Sequence, residues 1–254
     1  MLKRSIAAIL ACTLAGGAYA ASSACPQHYV QGNAPDILNQ NMNRSTMELC
    51  YKAFGVRHSG ITRTPLWSAE RLTAANIESA KLIDRDDSFH ADPNLPRNLR
   101  AELADYAKSG YDRGHLAPNA DMPDRESQGQ SFSLANMIPQ DPDNNRHVWA
   151  GIEAVVRKMA TKEGELFIIS GPVFQGSEIR KVGNVLVPTH LYKVVYSPKQ
   201  QMAAAYYLEN AAKAQYEILT MAQLEARVGI NLLPSLSPQQ KQLMLVLPKP
   251  RQKN

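Results

Sequence analysis

Cysteine is scarce in this chain: three in 254 residues, at positions 12, 25 and 50. No Cys-x-x-Cys pair and no Cys-x-x-x-His spacing occurs, so a structural zinc site is not suggested. The Gly-x-Ser-x-Gly elbow of serine hydrolases is missing. So are the His-Glu-x-x-His zinc-protease signature and the Gly-x-x-x-x-Gly-Lys phosphate loop. No repeat or low-complexity block interrupts the sequence. Long apolar runs are lacking too, because the one near the start, residues 6–14, falls far short of the roughly 20 residues that span a bilayer. Charge of one sign is not in great excess. The formal net charge is +5, and composition alone therefore does not point to nucleic acid.

What is present begins with a three-part leader. Lys3 and Arg4 precede the apolar run, and Ala18-Tyr19-Ala20 supplies the small-residue pattern of a cleavage site. Residues 1–20 read as a secretory signal peptide, which makes the protein exported, either periplasmic or secreted. Its removal lowers the net charge by two and takes Cys12 away. Cys25 and Cys50 then remain as an even pair in a chain bound for an oxidising compartment, and a disulfide between them is expected.

Residues 21–254 are of a size for one domain. Within them, 21–48 read as a polar, extended segment, 51–235 as the core and 236–254 as a tail. A short strand is expected over 51–58, strand or helix over 68–77, a loop over 84–96 and a short helix over 96–108. Val148, Ile152, Val155, Val156 and Met159 recur at helical spacing until Gly164 stops them. Residues 166–173, 185–196 and 202–208 read as strands, the last two as a hairpin, and 221–228 as a helix. The order is α+β rather than a regular βαβ alternation.

Two segments stand out, Tyr111-Asp112-Arg113-Gly114-His115-Leu116-Ala117-Pro118 and Ser133-Leu134-Ala135-Asn136-Met137-Ile138-Pro139-Gln140, followed by Asn145, Trp149 and Glu153. Each residue has a bland explanation. Gly114 can serve the backbone at a bend, Asn145 can cap a helix, and Glu153 with Arg157 can be an ordinary i,i+4 surface pair. A histidine beside a loop glycine is more often structural than catalytic. For His28, His58, His90, His147 and His190 the expectation is surface or packing.

Taken together, the segments resemble the DNA/RNA non-specific endonucleases, whose signature is Asp-Arg-Gly-His and whose fold is the ββα-metal type. Asp112 to His115 gives the signature, and Asn136, Asn145, Trp149 and Glu153 follow in the family's order. Upstream, Thr62-Arg63-Thr64-Pro65-Leu66-Trp67 looks like the family's Arg before a Trp. Downstream, Ser170-Gly171-Pro172-Val173-Phe174 and Pro188-Thr189-His190-Leu191-Tyr192-Lys193 look like its later strands. The resemblance implies an α+β fold with a largely antiparallel central sheet flanked by helices. It implies a catalytic group of His115, Arg63, Glu153, Asn136 and Arg113. One Mg²⁺, with Mn²⁺ as the alternative, would be held directly by Asn145 and through water by Glu153.

The chemistry asked of these residues is coherent. A histidine with an unperturbed pKa near 6.5 is largely neutral at pH 7 and can take a proton from water. Arginine stays charged and can grip phosphate with two nitrogens, which suits Arg63 first and Arg113 and Arg157 second as substrate-binding groups. Asn136 is expected to orient the site. Asp112 is expected to be structural, accepting from backbone N–H groups around the bend. On a regular helix Asn145 and Glu153 would lie about 80° apart around the axis and roughly 12 Å apart along it. The expected partners are DNA and RNA without sequence preference, with no membrane anchor; homodimerisation and a protein inhibitor stay open. The alternatives are a ββα-metal phosphodiesterase or nucleotide hydrolase of small substrates, and an exported nucleic-acid-binding protein without catalysis.

Overall fold

A computed structural model describes residues 23–250; the leader therefore lies outside the described residues. Its centre is a seven-stranded sheet, antiparallel at every pairing, in the order Tyr216–Leu219, Met202–Glu209, His190–Ser197, Glu165–Val173, Thr64–Thr73, Phe54–Ser59, Thr46–Cys50. The mixed architecture matches the α+β expectation. Strands alternate side chains between two faces, and both faces here are covered. Along Thr64–Thr73, Trp67 and Ala69 point into one core, with Tyr29, Val194 and the helix residues Met221 and Leu224. Leu72 points into the other, with Ile152, Val156 and Ala160 of helix Ala150–Glu163.

The second face is interrupted in its middle by polar residues. Ser68, Ser170 and Lys193 sit side by side across three strands, all buried. Lys193 Nζ donates to Ser170 Oγ at 2.7 Å and to the Leu116 carbonyl at 3.4 Å. A buried ammonium is costly unless it is hydrogen-bonded, so this row is a fixed platform. On it rests a small hairpin of Asp112–His115 and Met137–Gln140, with His115 opposite Met137 and Asp112 opposite Gln140.

Several expected elements are displaced. The strand expected over 51–58 runs over Phe54–Ser59, and a further strand, Thr46–Cys50, precedes it with a turn between them. The 21–48 segment is thus not wholly outside the sheet, since Thr46 begins its edge strand. Residues 96–108 form a 3-10 turn, Arg97–Leu99, and one helical turn, Leu103–Tyr106, rather than a single helix. The 185–196 strand is broken after Leu186 and resumes at His190; Pro188 lies in the gap and cannot donate to a ladder. Strands Glu165–Val173 and Met202–Glu209, the hairpin of the latter with His190–Ser197, and helix Met221–Val228 stand where the pattern puts them. Thr220 and Gln223 form a capping box at the start of that helix and Gly229, at φ +68°, ends it. Cys25 and Cys50 are joined by a disulfide with their Cα atoms 5.5 Å apart, tying the N-terminal segment to the edge strand.

Candidate active site

His115 ends the first strand of the hairpin. Its carbonyl accepts from Trp149 Nε1 at 3.3 Å, and its ring stands edge-on to Phe132, centroids 5.0 Å apart, and tilted to Phe89 at 5.7 Å. Nε2 is buried and has no hydrogen-bond partner. Burial is the main force on its pKa, and the charges of Arg85 and Arg113 add to it against the pull of Asp87, bringing it down to about 3. The ring is therefore neutral at physiological pH, with one nitrogen unengaged.

Gly114 is explained by contact rather than by a bend. A Cβ built on it would overlap Gln140 Oε1 and lie 2.7 Å from Gln140 Cβ, and its φ is not among the positive ones. The buried Gln140 amide covers this glycine and donates to Asn144 Oδ1 at 2.8 Å. Asn144 in turn donates to the Glu209 carbonyl at 2.7 Å. This chain of amides anchors the start of the next helix.

That start is a π-helical turn, Asn144–Trp149, before helix Ala150–Glu163. Its i→i+5 bonds are wider than an α-turn, so the 80° separation expected between Asn145 and Glu153 for a regular helix does not apply. Asn145 does not cap. Its Nδ2 donates to Asp112 Oδ2 at 3.0 Å, while Arg146 grips both Asp112 oxygens at 2.8 and 2.7 Å. The expectation that Asp112 accepts from backbone N–H groups is thus corrected: its partners are two side chains of the following helix. Partial burial pushes the Asp112 pKa up, but the hydrogen bonds from Arg146 and Asn145 and the charges of Arg146 and Arg113 outweigh it, and the net shift is downward. Asp112, its pKa held below the usual carboxylate range, fixes the amide of Asn145 by its nitrogen end and leaves its oxygen as the donor available to a cation.

Glu153, on the next helical turns, shares a group with Glu70, Asp121, Arg157 and Lys193. Burial raises its pKa most, Lys193 and Arg157 pull it down, and Asp121 raises it again; the net is upward. Fully buried Glu70 is raised well above the usual carboxylate range by burial and by Asp121. Arg157 is bound to Asp121 at 2.9 Å, so its charge is directed at carboxylates rather than left free for substrate.

The remaining expected residues divide. Arg113 lies 4.0 Å over the Phe89 ring, beside His115. Asn136 is wholly buried, and its amide is saturated: Oδ1 accepts from Ser68 Oγ at 2.7 Å and Ala117 N at 3.0 Å, and Nδ2 donates to the Ala117 and Ser131 carbonyls at 2.9 Å each. It is a positioning residue that locks the segment after His115 to the sheet, and it has no hydrogen-bonding capacity left for substrate. Arg63 lies in the turn between Phe54–Ser59 and Thr64–Thr73 at φ +55°, with Nη1 on the Arg100 carbonyl at 3.3 Å. The other histidines are packing or surface groups, among them His58, whose Nε2 lies 2.9 Å from the Leu99 carbonyl. Sequence reasoning missed Arg85, Phe89, Phe132, Arg146 and Gln140. Gln140 lies within the quoted segment, Phe132 just before it and Arg146 beside Asn145, while Arg85 and Phe89 lie far from any motif.

Among the described residues, no cluster of three or more His, Cys, Asp and Glu is arranged to hold a metal. The donor on offer is a single oriented amide oxygen, with Glu153 further along the helix. That set suits a hard cation that keeps most of its waters, as Mg²⁺ does, and not a zinc cage. Because Asp112 orients Asn145, Asp112→Asn is expected to weaken Mg²⁺ binding by about 10–100-fold. Calorimetric titration with Mg²⁺ would show it, and an unchanged affinity would remove Asp112 from the metal's supporting shell.

A two-stranded hairpin that feeds a helix, with histidine on the first strand and asparagine at the helix start, defines the ββα-metal class of nucleases. Residues 33–239 match the DNA/RNA non-specific endonucleases, and the chain belongs to that family of metal-dependent, nucleic-acid-hydrolysing enzymes. It is 36% identical to Nuclease C1 of Cunninghamella echinulata over 61% of this chain and 67% of that protein. It is 30% identical to the mitochondrial nuclease EXOG of Danio rerio over 70% of this chain and 58% of that one. With the mitochondrial nuclease of Saccharomyces cerevisiae the identity is 28% over 86% and 73%. Among solved structures, the EndoG/EndoGI complex superposes with a TM-score of 0.68 over 81% of this chain and 95% of that one at 24% identity, which supports the fold.

Proposed function

We propose that residues 21–254 form a single-domain, sugar-non-specific endonuclease that cuts DNA and RNA, exported under the direction of the 1–20 leader. The observation that carries the reading is the neutral His115 ring, with an unpartnered Nε2, flanked by Phe89 and Phe132, over which lie Arg113 and Arg85, and joined through Asp112 of its strand to the oriented amide of Asn145. His115 Nε2 accepts the proton of the attacking water. Burial first and the guanidinium charges second hold the imidazole pKa low, and the negative charge of a phosphate entering beside the ring shifts it upward. Arg113 contacts the phosphoryl oxygens, and Arg63, whose Nη1 lies on the Arg100 carbonyl, is the other guanidinium assigned to the substrate. Arg157 completes the charge balance of Glu153 and Asp121.

Mg²⁺, held by Asn145 directly and by Glu153 through water, would supply positive charge where negative charge builds on the phosphoryl group. Phosphate-directed contacts carry no base information, which supports indifference to sequence. Export is supported by the Cys25–Cys50 bond, since disulfides persist in oxidising compartments. Relatives named as mitochondrial share the catalytic body, so the body itself does not choose the compartment. No helix among the described residues is long and apolar enough to cross a membrane.

Incubation with plasmid and with RNA, in Mg²⁺ or in EDTA, tests the proposal. Degradation of both in Mg²⁺ is expected, with none in EDTA, and the ends should be 5′-phosphates that ligase rejoins without kinase treatment. Turnover of p-nitrophenyl diesters with no cutting of either polymer would favour the small-substrate phosphodiesterase instead.

A further inference from the structure

The walls of the His115 ring are Phe89, from the 84–96 loop, and Phe132, and these two rings also meet edge to face, centroids 4.8 Å apart. Neither belongs to the hairpin that carries His115. Backbone contacts lay their segments side by side. His90 N donates to the Phe132 carbonyl at 3.3 Å, Leu134 N donates to the His90 carbonyl at 2.8 Å, and His90 and Ser133 form a parallel bridge. Two residues further on is Asp92, which is buried. Its Oδ2 accepts from the Tyr51 hydroxyl and from Ser133 Oγ, the latter at 2.7 Å, and its Oδ1 accepts from Asn94 N at 2.9 Å. Burial and the charge of Asp92 push the Tyr51 pKa up, so the phenol keeps the proton it donates. Tyr51 is anchored in turn, stacked on Phe54 with centroids 4.5 Å apart. A buried carboxylate is costly without such partners. It can sit here only while three segments stay closed around it: the turn after Thr46–Cys50, the 84–96 loop, and the residues before Leu134–Asn136.

We propose that Asp92 is a positioning residue for the reaction: its carboxylate draws Tyr51 and Ser133 together and so keeps Phe89 and Phe132 closed on the His115 ring. The inference rests on His115 as the general base and adds the part of the molecule that keeps this base dry and aimed. Ser133 serves two supports at once. Its Oγ donates to Asp92 and accepts from Ala135 N at 3.2 Å, opening the turn that ends in Asn136, which fastens the segment after His115. Removing the carboxylate takes from two buried hydroxyls the acceptor they share, and the loop loosens from residues 132–134. Water then reaches the imidazole, which loses its alignment and the burial that is the largest influence on it. The charges that act on the ring, Arg85 and Arg113 against Asp87, stay in place.

The test compares Asp92→Ala, Asp92→Asn and Tyr51→Phe with the unaltered protein. The readouts are steady-state cleavage of duplex DNA, circular dichroism, and titration of the His115 Cε1–H resonance in the metal-free enzyme. Asp92→Ala should lower kcat about 10–100-fold, the scale of an ångström-sized misplacement of a catalytic group, with KM changed less than about twofold. Its His115 resonance should show a midpoint above about pH 5, displaced from about 3 toward the free value near 6.5. Asp92→Asn should recover most of kcat, because an amide can still accept from one hydroxyl and donate to the other. Tyr51→Phe, which keeps the stack on Phe54 and lies at the far end of the tie, should lower kcat and raise the midpoint in the same sense by smaller amounts. In a Phe132→Leu background the loss caused by Asp92→Ala should shrink, since the wall through which it acts is already breached. A merely structural carboxylate would lower the melting temperature and leave the resonance where it was. An unmoved resonance in folded Asp92→Ala, or in Tyr51→Phe should the first variant not fold, would overturn this inference alone, whatever the kcat. A resonance that moves up while kcat holds would uphold the tie and overturn His115 as the base.

Discussion

His115→Ala is expected to lower kcat on plasmid DNA by about 10²–10⁴-fold, the usual contribution of a positioned general base. The backbone should hold, because Trp149 grips the His115 carbonyl and not its ring; far-ultraviolet circular dichroism would confirm that the comparison is between folded proteins. Full activity in the folded variant would exclude His115 as the base. The state of the ring can be read separately. Burial and the two guanidiniums lower its pKa to about 3 in the folded chain, against about 6.5 when unfolded. A folded pKa below the unfolded one means that the unfolded chain takes up the proton first. The associated stability is therefore complete above about pH 6.5 and is lost as pH falls toward 3. In the metal-free enzyme, the His115 Cε1–H resonance, assigned by its loss in His115→Ala, should show no midpoint between pH 5 and 8. A midpoint near 6.5 would contradict the buried, neutral ring.

Gly114→Ala is expected to be nearly as damaging, for a different reason. The added methyl meets the Gln140 side chain at 2.7 Å from its Cβ and 2.9 Å from its Cδ, and Gln140 cannot retreat without releasing Asn144. Overpacking of this kind costs about 1–3 kcal/mol. It falls on the hairpin that carries His115 and on the turn that carries Asn145, so activity should drop at least tenfold beyond any loss of folded protein. Gly114→Ala combined with Gln140→Ala should recover part of the stability lost by the first change, a coupling of about 0.5–3 kcal/mol in a thermal-melt cycle. Strict additivity would mean that the glycine is needed for something other than this contact.

The site was half legible in the sequence because its parts are of two kinds. Asp112, Arg113, His115 and Asn145 stand in short motifs whose residue types declare chemistry. Phe89, from the 84–96 loop, and Phe132 pack on the His115 ring and Arg85 lies over Phe132, with no periodic signal to announce them; only tertiary packing brings them together. Asn136 reads from sequence as an orienting group, and its four hydrogen bonds hold the segment after His115 to Ser68. Asp112 is the converse, a supposed backbone acceptor whose partners lie 33 and 34 residues away. Among the fold elements, Met221–Val228 could be read because its capping box and terminal glycine are local. The π-turn at Asn144–Trp149 could not, since Gln140 and the Glu209 carbonyl set it from outside the helix.

The buried platform under the hairpin bears on how such an enzyme is made. Lys193 props the Leu116 carbonyl, and its strand pairs on one side with Glu165–Val173 and on the other with Met202–Glu209. A ribosome that has finished the Asp112–His115 signature still has about 80 residues to add before that prop exists, and the sheet edge beyond it comes later still. A growing or truncated chain thus carries every residue of the signature before the strands that complete its seat have been made.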